Sequence, residues 1–473
     1  MMTDAISIIK FATIRSKEFY PLYTINRCAR GYLSCANWKR EKGLFMILLL
    51  FCVFIIMLFM GVPVAFSMLG SSLVYIIVGL INGNTLMLIT AVQRMEVSVD
   101  SFPLMAIPFF VMAGEFMNVG GLTMRLMNFA RACVGHITGG MAQVNILSST
   151  MFAAMSGSSI ACASIFGGMM IPIMEKDGYD KGFASAVISC SATIGPIIPP
   201  SIVMIVFGVM ANVSVGKLFI SGIIPGILMA GGLMVAAYLV SKKRAYPTYA
   251  KKSAAERWKE GKAASYPLLM PLILIGGILT GYFTPTEAAV VAAVYGCILG
   301  FTQRELTLKD LSTIGFNTAI GSARIMFIIS AAGLFGWILT LEQAPRLVSD
   351  WLFTISENKW VMLVIINVFL LILGMFMEST AIIIMVTPIL MPIVYALGLD
   401  PIHFGLVMMV NVMIGCVTVP VGVLMYVTND IAGIGMGEYF KHVKPFYLAL
   451  GVVLLLLTFI PELSTALPAL LMR

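Results

Sequence analysis

Long apolar runs separated by short polar segments make up most of this chain, and many reach the ~20 residues that a helix needs to cross a bilayer. The apolar stretch 44–80 is too long for one crossing, and Gly61-Val62-Pro63 divides it into spans over 44–60 and 63–80. A third span is predicted over 101–120, and an amphipathic stretch over 122–134 follows it. The pattern is typical of an all-α polytopic membrane protein.

Two interrupted elements come next. The run 143–173 is broken at 156–159, and each arm has only about a dozen residues, so a re-entrant helical hairpin is predicted. The run 179–211 is interrupted at 195–200, where three prolines remove backbone donors and prevent a continuous helix. A span over 218–240 completes the first half.

The same order of elements returns in the second half. In chain order it predicts spans over 266–282, 285–301 and 314–340, an amphipathic connector over 341–356, a hairpin over 360–394 broken near Glu378, a broken span over 401–427 interrupted near 415–422, and a last span over 446–460.

Residues 155–200 and 375–420 align without a gap at an offset of 220, with eleven identities in 46 positions. Roughly four would arise by chance in so biased a composition. Six of the eleven matches fall on Gly, Pro, Ser and Asp, which break or cap helices. Each half holds five spans plus a hairpin that returns to its own side, so the second copy enters from the opposite face. We therefore predict two inverted repeats of five spans plus one re-entrant hairpin each, with broken helices at the midplane.

Composition agrees with this class of protein. Hydrophobic residues make up 60% of the chain and charged residues 11%. The net charge of +8 comes from two segments that flank apolar runs, which indicates membrane topology and not nucleic-acid binding. The segment 241–265 carries eight basic and two acidic residues, and we predict a cytoplasmic loop there.

Four regions follow: a basic N-terminal extension over 1–45, the first repeat over 46–240, the loop over 241–265 and the second repeat over 266–473. The inverted arrangement puts the extension outside, against the positive-inside rule. Three explanations would remove this conflict: the stretch 44–80 crosses the membrane only once, translation starts at Met46, or the extension is disordered.

Two other classes of protein fit less well. The eight cysteines form no CxxC, so neither a disulfide framework nor a cysteine metal knuckle is indicated. The chain also has no HExxH and no GxSxG, so an enzyme is not indicated. An ion channel usually surrounds its pathway with several identical subunits, whereas an internal inverted repeat encloses a site within one chain.

Several ordered motifs resemble one family. They are SFPLMAIPFFVMAGEFMNVGGLTMRL (101–126), MSGSSIACAS (155–164), ATIGPIIPPSI (192–202) and TPTEAA (284–289). They look like the large membrane subunit of tripartite ATP-independent periplasmic (TRAP) transporters. The resemblance implies a secondary transporter of the bacterial inner membrane that imports an organic acid with sodium ions by an elevator-type motion.

The resemblance also implies two partners. One is a periplasmic substrate-binding protein that delivers the acid and largely selects it. The other is a small four-helix membrane subunit, expected on a separate chain because no four-span segment precedes residue 46. A carboxylate carrier that needs no binding protein, or a channel of related architecture, is the alternative.

The breaks supply the chemistry of such a site. A dehydrated sodium ion needs about five or six oxygens, which unwound helices offer as carbonyls and hydroxyls. Helix N-termini after each hairpin tip favour a substrate carboxylate. The predicted sodium ligands are Ser156, Gly157, Ser159, Gly195 and Ile198 in the first repeat and Ser379, Gly415, Val417 and Thr418 in the second. The predicted substrate ligands are Ser158, Ser159, Pro199, Glu378, Ser379 and Thr380.

A structural alternative exists for each of these residues, since Gly and Ser also pack helices closely and Pro kinks them. Glu115 and Arg324 lie within apolar runs, where an internal ion pair and a functional role are equally expected. Glu287 follows Thr284 at a helix start and is predicted to cap it. Val419 stands where relatives carry a second proline, which predicts a shorter second break and a weaker second sodium site.

Overall fold

A computed structural model of the chain describes residues 43–81, 86–119 and 121–472. Every regular element in those ranges is a helix, and nine helical segments there are long and apolar enough to cross a bilayer. The predicted all-α polytopic membrane class is confirmed. The predicted N-terminal extension, apart from its last three residues, lies outside the described ranges.

The first half contains eleven α-helices within the described residues: α1 Gly43–Phe59, α2 Val64–Ile81, α3 Leu86–Val99, α4 Ala106–Val119, α5 Leu122–Val134, α6 Gly140–Ser156, α7 Ser159–Lys176, α8 Lys181–Ala192, α9 Ile202–Ala211, α10 Val215–Ser221 and α11 Ile223–Arg244. A 3-10 turn over Phe102–Met105 precedes α4.

The second half contains ten α-helices within the described residues: α12 Ala254–Leu279, α13 Pro285–Thr302, α14 Leu308–Leu341, α15 Ala344–Ile355, α16 Lys359–Phe376, α17 Ser379–Ala396, α18 Pro401–Gly415, α19 Val423–Ala432, α20 Met436–Phe459 and α21 Glu462–Leu471.

The hairpins and broken spans fall where the sequence predicted them. The first hairpin is α6 and α7, and the second is α16 and α17. The arms of the first hairpin have 17 and 18 residues, so the prediction of about a dozen was too short. The helices continue into polar residues at both ends because a helix does not stop where its apolar face stops.

Three further predictions need correction. Helix α3 occupies a region to which the apolar pattern assigned no element, and α21 is a second unpredicted helix. The predicted loop over 241–265 is helical except for 245–253. Ser253 starts α12 early, because its hydroxyl accepts from the Glu256 N–H while the Glu256 carboxylate accepts from the Ser253 N–H.

Helix bounds in the two halves follow the 220-residue offset. Ser159 and Ser379 open the second arms of the hairpins, and Asp180 and Asp400 are the N-caps of α8 and α18. One difference is that α14 is continuous, whereas its counterpart is divided into α3 and α4 around Pro103. The opposite orientation of the two copies across the membrane remains a prediction.

The helices pack as two groups. In one group, the hairpins and broken spans of both halves contact each other, with α19 against α7 and α8, α20 against α8, and α9 against α17. In the other, which we call the frame, α2, α3 and α4 pack on α14, and α4 also packs on α13. The amphipathic helices lie between the groups, because α5 contacts both α6 and α12, and α15 contacts both α17 and α14.

A polar network holds the connector between the two halves. Asp180 accepts hydrogen bonds from Arg244 and from the Tyr246 hydroxyl, each over 2.6 Å, and the Tyr249 hydroxyl donates to Asp177. These donors hold the pKa of the Asp180 carboxyl below its usual value, with the Tyr246 hydroxyl making the largest contribution. The connector is therefore attached to the loop between α7 and α8.

Each hairpin tip packs against the break in the neighbouring span. Gly157 has φ +58°, and a β-carbon there would lie 2.7 Å from the Pro200 carbonyl oxygen. In the second half the Gly422 N–H of the break donates to the Met375 carbonyl beside the tip over 2.9 Å, and a β-carbon on Gly415, at the end of α18, would lie 2.5 Å from the Gly374 Cα on α16. Both breaks contain a cis peptide bond before a proline, at Pro200 and at Pro420. Glycine is therefore required where tip and break approach most closely.

We predict that Gly157→Ala lowers the thermal midpoint of the purified protein. The added methyl group strains a left-handed residue, at a cost of about 1–3 kcal/mol, and it also meets a backbone oxygen that has no room to move. The matched control is Gly398→Ala, where φ is +64° but the β-carbon meets nothing within 4 Å. Equal losses in the two variants would show that the contact between tip and break has no importance for stability.

Candidate functional site

A cavity of about 570 Å³ lies where the two groups of helices meet. Frame helices α2 and α14 form one wall, and the tips of both hairpins form the other. Its lining includes Gly157, Ser158, Ser159, Glu378, Ser379 and Thr380, together with Pro196 and Arg324. Five of the six predicted substrate ligands thus share one cavity. Pro199 is not part of its lining, and Pro196 from the same break takes its place.

The residues at both tips are held by helix capping. The Ser158 hydroxyl accepts from the Ala161 N–H over 3.3 Å and caps α7. At the equivalent position of the second hairpin, one oxygen of Glu378 accepts from the Ala381 N–H over 3.2 Å and caps α17. The two copies therefore use the same capping geometry with different charge.

Glu378 also determines what its neighbours can offer to a ligand. The hydroxyls of Ser379 and Thr380 donate to its other carboxylate oxygen, over 3.0 Å and 2.8 Å. With their protons committed in this way, both hydroxyls offer lone pairs to the cavity. They are suited to a cation or to a donor group of a substrate, and poorly suited to a substrate carboxylate.

Arg324 is the cavity residue suited to a carboxylate. It lies near the middle of α14, the longest described helix, and lines the cavity opposite the tips. Its side chain has no hydrogen bond and no ion pair with any residue that the structure describes. The other charged candidates have partners, since Glu115 accepts from the Asn317 amide over 3.1 Å and Glu287 caps α13 as predicted.

Most of the predicted ligands of the first sodium site lie together. A β-carbon on Gly195 would lie 3.3 Å from the Ser158 carbonyl oxygen, so the break touches the tip. The Ser156 hydroxyl is buried and has no hydrogen-bond partner among the described residues, which leaves its oxygen available for an ion. Ile198 instead packs its side chain on Gly226 and does not line the cavity.

The predicted sodium ligands of the second repeat are less available for an ion than those of the first. The Val417 carbonyl already accepts from the Tyr447 hydroxyl over 2.6 Å, and the Thr418 hydroxyl donates to Ile414 over 2.6 Å. Gly415 is packed against Gly374 and does not line the cavity. The second break, 416–422, is also shorter than the first, 193–201, as Val419 predicted.

Two buried polar pairs lie below the tips, and the sequence reasoning missed them. The Asn145 amide on α6 donates to the Ser191 hydroxyl on α8 over 2.8 Å. In the second half the Asn411 amide on α18 donates to the Asn367 side chain on α16 over 2.9 Å. Ser191 and Asn411 are separated by the repeat offset, and asparagine within an apolar run was the signal that could have found them.

The structure resembles two solved transporters. One is the YdaH transporter of Alcanivorax borkumensis, with a TM-score of 0.59, 16% identity and coverage of 82% of this chain and 90% of that chain. The other is MtrF of Neisseria gonorrhoeae, with a TM-score of 0.53, 12% identity and coverage of 79% of this chain and 84% of that chain. At such low identity these likenesses show the fold alone.

Sequence relatives are much closer. The sialic acid TRAP transporter large permease protein SiaM of Vibrio cholerae is 40% identical over 88% of this chain and 96% of its own length. The C4-dicarboxylate TRAP transporter large permease protein DctM of Pseudomonas aeruginosa is 41% identical over 80% of this chain and 88% of its own. The isethionate TRAP transporter permease protein DctMQ of Oleidesulfovibrio alaskensis is 40% identical over 88% of this chain and 65% of its own.

A family model described as the tripartite ATP-independent periplasmic transporter, DctM component, matches residues 51–463. The matched region includes both hairpins, both broken spans and the cavity between the tips. The recognition made from the motifs is therefore confirmed, and the relatives are permease subunits and not enzymes. The chain belongs to the DctM family of large permease subunits of TRAP transporters.

Proposed function

We propose that this subunit imports a small organic acid with sodium ions across the bacterial inner membrane. It receives the acid from a periplasmic binding protein and works beside a small four-helix membrane subunit on a separate chain. The named relatives support the substrate class, because sialic acid, C4-dicarboxylates and isethionate are all small organic anions.

The cavity between the tips is the observation that supports this proposal most strongly. It places the guanidinium of Arg324, which has no partner among the described residues, opposite the oxygens of two helix starts. Arg324 is exposed at the cavity wall, and an arginine binds a carboxylate with two parallel hydrogen bonds. A substrate carboxylate on Arg324 therefore supplies the missing partner.

Sodium has a complementary place at the tips. The unpartnered Ser156 hydroxyl and the lone pairs of Ser379 and Thr380 are neutral oxygens of the kind that sodium accepts. An ion bound beside a tip offsets the negative charge of Glu378 and favours a substrate anion in the same cavity. Binding of either one then strengthens binding of the other, and such reciprocal coupling is what symport requires.

The two groups of helices support an elevator-type motion. The hairpins and broken spans form one unit, and the cavity lies at its boundary with the frame helices α2 and α14. Movement of this unit along α14 would carry the tip oxygens, the ions and the substrate past the frame. Helices α5 and α15 contact both groups and would follow that motion as connecting arms.

The alternatives are a carrier that works without a binding protein and a channel. Both retain the cavity, but a channel needs a polar pathway that stays open, whereas this cavity is lined in large part by apolar residues such as Phe66, Ile202 and Phe327. The TRAP relatives match this chain over 80% or more of its length, which favours the carrier that depends on a binding protein.

The proposal is tested in proteoliposomes that contain this chain and the small subunit. We expect an organic acid loaded on its binding protein to accumulate only when a sodium gradient is present. Uptake that needs no binding protein would support the first alternative. Flux without dependence on any gradient would identify a channel and overturn the proposal.

We predict that Ser159→Ala and Ser379→Ala each raise the sodium concentration for half-maximal uptake by about three- to tenfold, since each removes one hydroxyl worth ~1 kcal/mol. The matched control is Ser221→Ala, a buried serine whose hydroxyl donates to Lys217 away from the cavity. Unchanged sodium activation in both tip variants would remove these hydroxyls from the proposed ion sites.

We also predict that Arg324→Gln raises the KM for uptake roughly ten- to hundredfold, because a hydrogen bond to a charged group contributes about 1.5–3 kcal/mol. Sodium binding should change much less. Arg346→Gln is the control, since Arg346 is 76% exposed and does not line the cavity. Equal KM values in the two variants would exclude Arg324 as the carboxylate ligand.

A further inference from the structure

A second groove lies between α5 and the first half of α12, away from the transport cavity. It has a volume of about 540 Å³ and is lined by Phe129, Arg257, Trp258, Gly261 and Lys262, with Ser265 at its lower end. The two helices approach closely at Gly261, where a β-carbon would lie 3.2 Å from the Phe129 ring. The groove is thus built by packing between the amphipathic helix α5 and the first half of α12.

The charge of this groove is positive and has no partner in the described structure. Both acidic residues of the segment are engaged elsewhere, because Glu256 caps α12 with Ser253 and Glu260 pairs with Lys252 at 3.9 Å. Arg257 and Lys262 make no ion pair with any described residue. The Nε atom of Arg257 is buried without a hydrogen-bond partner, which favours an anion there.

The groove continues along the membrane-spanning part of α12. Trp258, Lys262, Ser265, Leu269 and Leu272 follow each other at intervals of four and three residues, so they share one face of the helix. Trp258 is 79% exposed and Leu272 is 67% exposed. The face is basic and aromatic at its start and apolar below, which is the order of chemistry along a phospholipid.

We infer that this groove binds an anionic phospholipid. Its phosphate contacts Arg257 and Lys262, Trp258 lies at the level of the headgroup, and an acyl chain follows Leu269 and Leu272. Basic pockets beside membrane helices bind such headgroups, and tryptophan is enriched at that depth. Neither a soluble anion nor a neutral lipid matches both the unpaired cations and the apolar face beneath them.

Such a lipid would restrain one of the helices that connect the two groups. It contacts both α12 and α5, and α5 is one of the two helices that connect the groups. Binding at the groove would restrain this connecting helix on the side that contacts α12. The inference does not depend on the substrate or on sodium.

The test uses the full-length chain in detergent with phosphatidylglycerol or phosphatidylcholine added. Native mass spectrometry measures retained lipid, and the thermal midpoint measures stabilisation. We expect wild-type protein to retain phosphatidylglycerol and to be stabilised by it. The double variant Arg257→Gln with Lys262→Gln should lose at least roughly tenfold in affinity, as expected for removal of hydrogen bonds from charged donors.

Two further variants keep the result interpretable. Lys259→Gln with Lys309→Gln removes the same charge outside the groove and should bind phosphatidylglycerol as the wild type does. Arg257→Lys with Lys262→Arg keeps the charge and should retain most of the binding even if the glutamine variant folds poorly. Any one of three results would overturn the inference. The glutamine variant could retain phosphatidylglycerol as well as the wild type does, or the wild type could retain phosphatidylcholine equally well. The third result is displacement of the lipid when the small subunit is bound.

Discussion

The structure depends on one constraint, which is that every backbone N–H and C=O group within a bilayer needs a partner inside the protein. A continuous helix satisfies this constraint by itself, but the two hairpins and two broken spans interrupt their helices and leave backbone groups without helical partners. The chain meets the constraint by placing each tip against a break, with glycine at the closest approaches and a side-chain cap at each helix start after a tip. The exposed helix ends that result are the features an ion or substrate can use.

Capping also explains how two similar halves form an asymmetric site. Ser158 and Glu378 occupy the same position in the two copies and make the same bond to a backbone N–H. The carboxylate of Glu378 sets the role of the neighbouring hydroxyls, because Ser379 and Thr380 both donate to it. Arg324, which has no such counterpart in the first half, supplies the positive charge across the cavity.

Helix packing divides the molecule into two groups that meet at this cavity. The tips belong to a unit built from both halves, while Arg324 belongs to a frame helix. The connector between the halves is attached through Tyr246 and Tyr249 to the loop before α8, and Tyr249 also contacts Arg131 on α5. Polar contacts of the connector therefore join the loop before α8 to the connecting helix α5, at residues that do not line the cavity.

The sequence alone determined the membrane class, the order of spans, both hairpins and both breaks, because span length and the effects of Gly and Pro are local. It also identified the family and most of the residues at the tips. Tertiary structure decided that Arg324 meets the tips, that Val417 is engaged by Tyr447, and that Asn145 reaches Ser191. It also showed that polar segments such as 254–265 are helical. These contacts join residues that are distant in the chain, and the pattern of residues along the sequence does not specify which helices pack against each other.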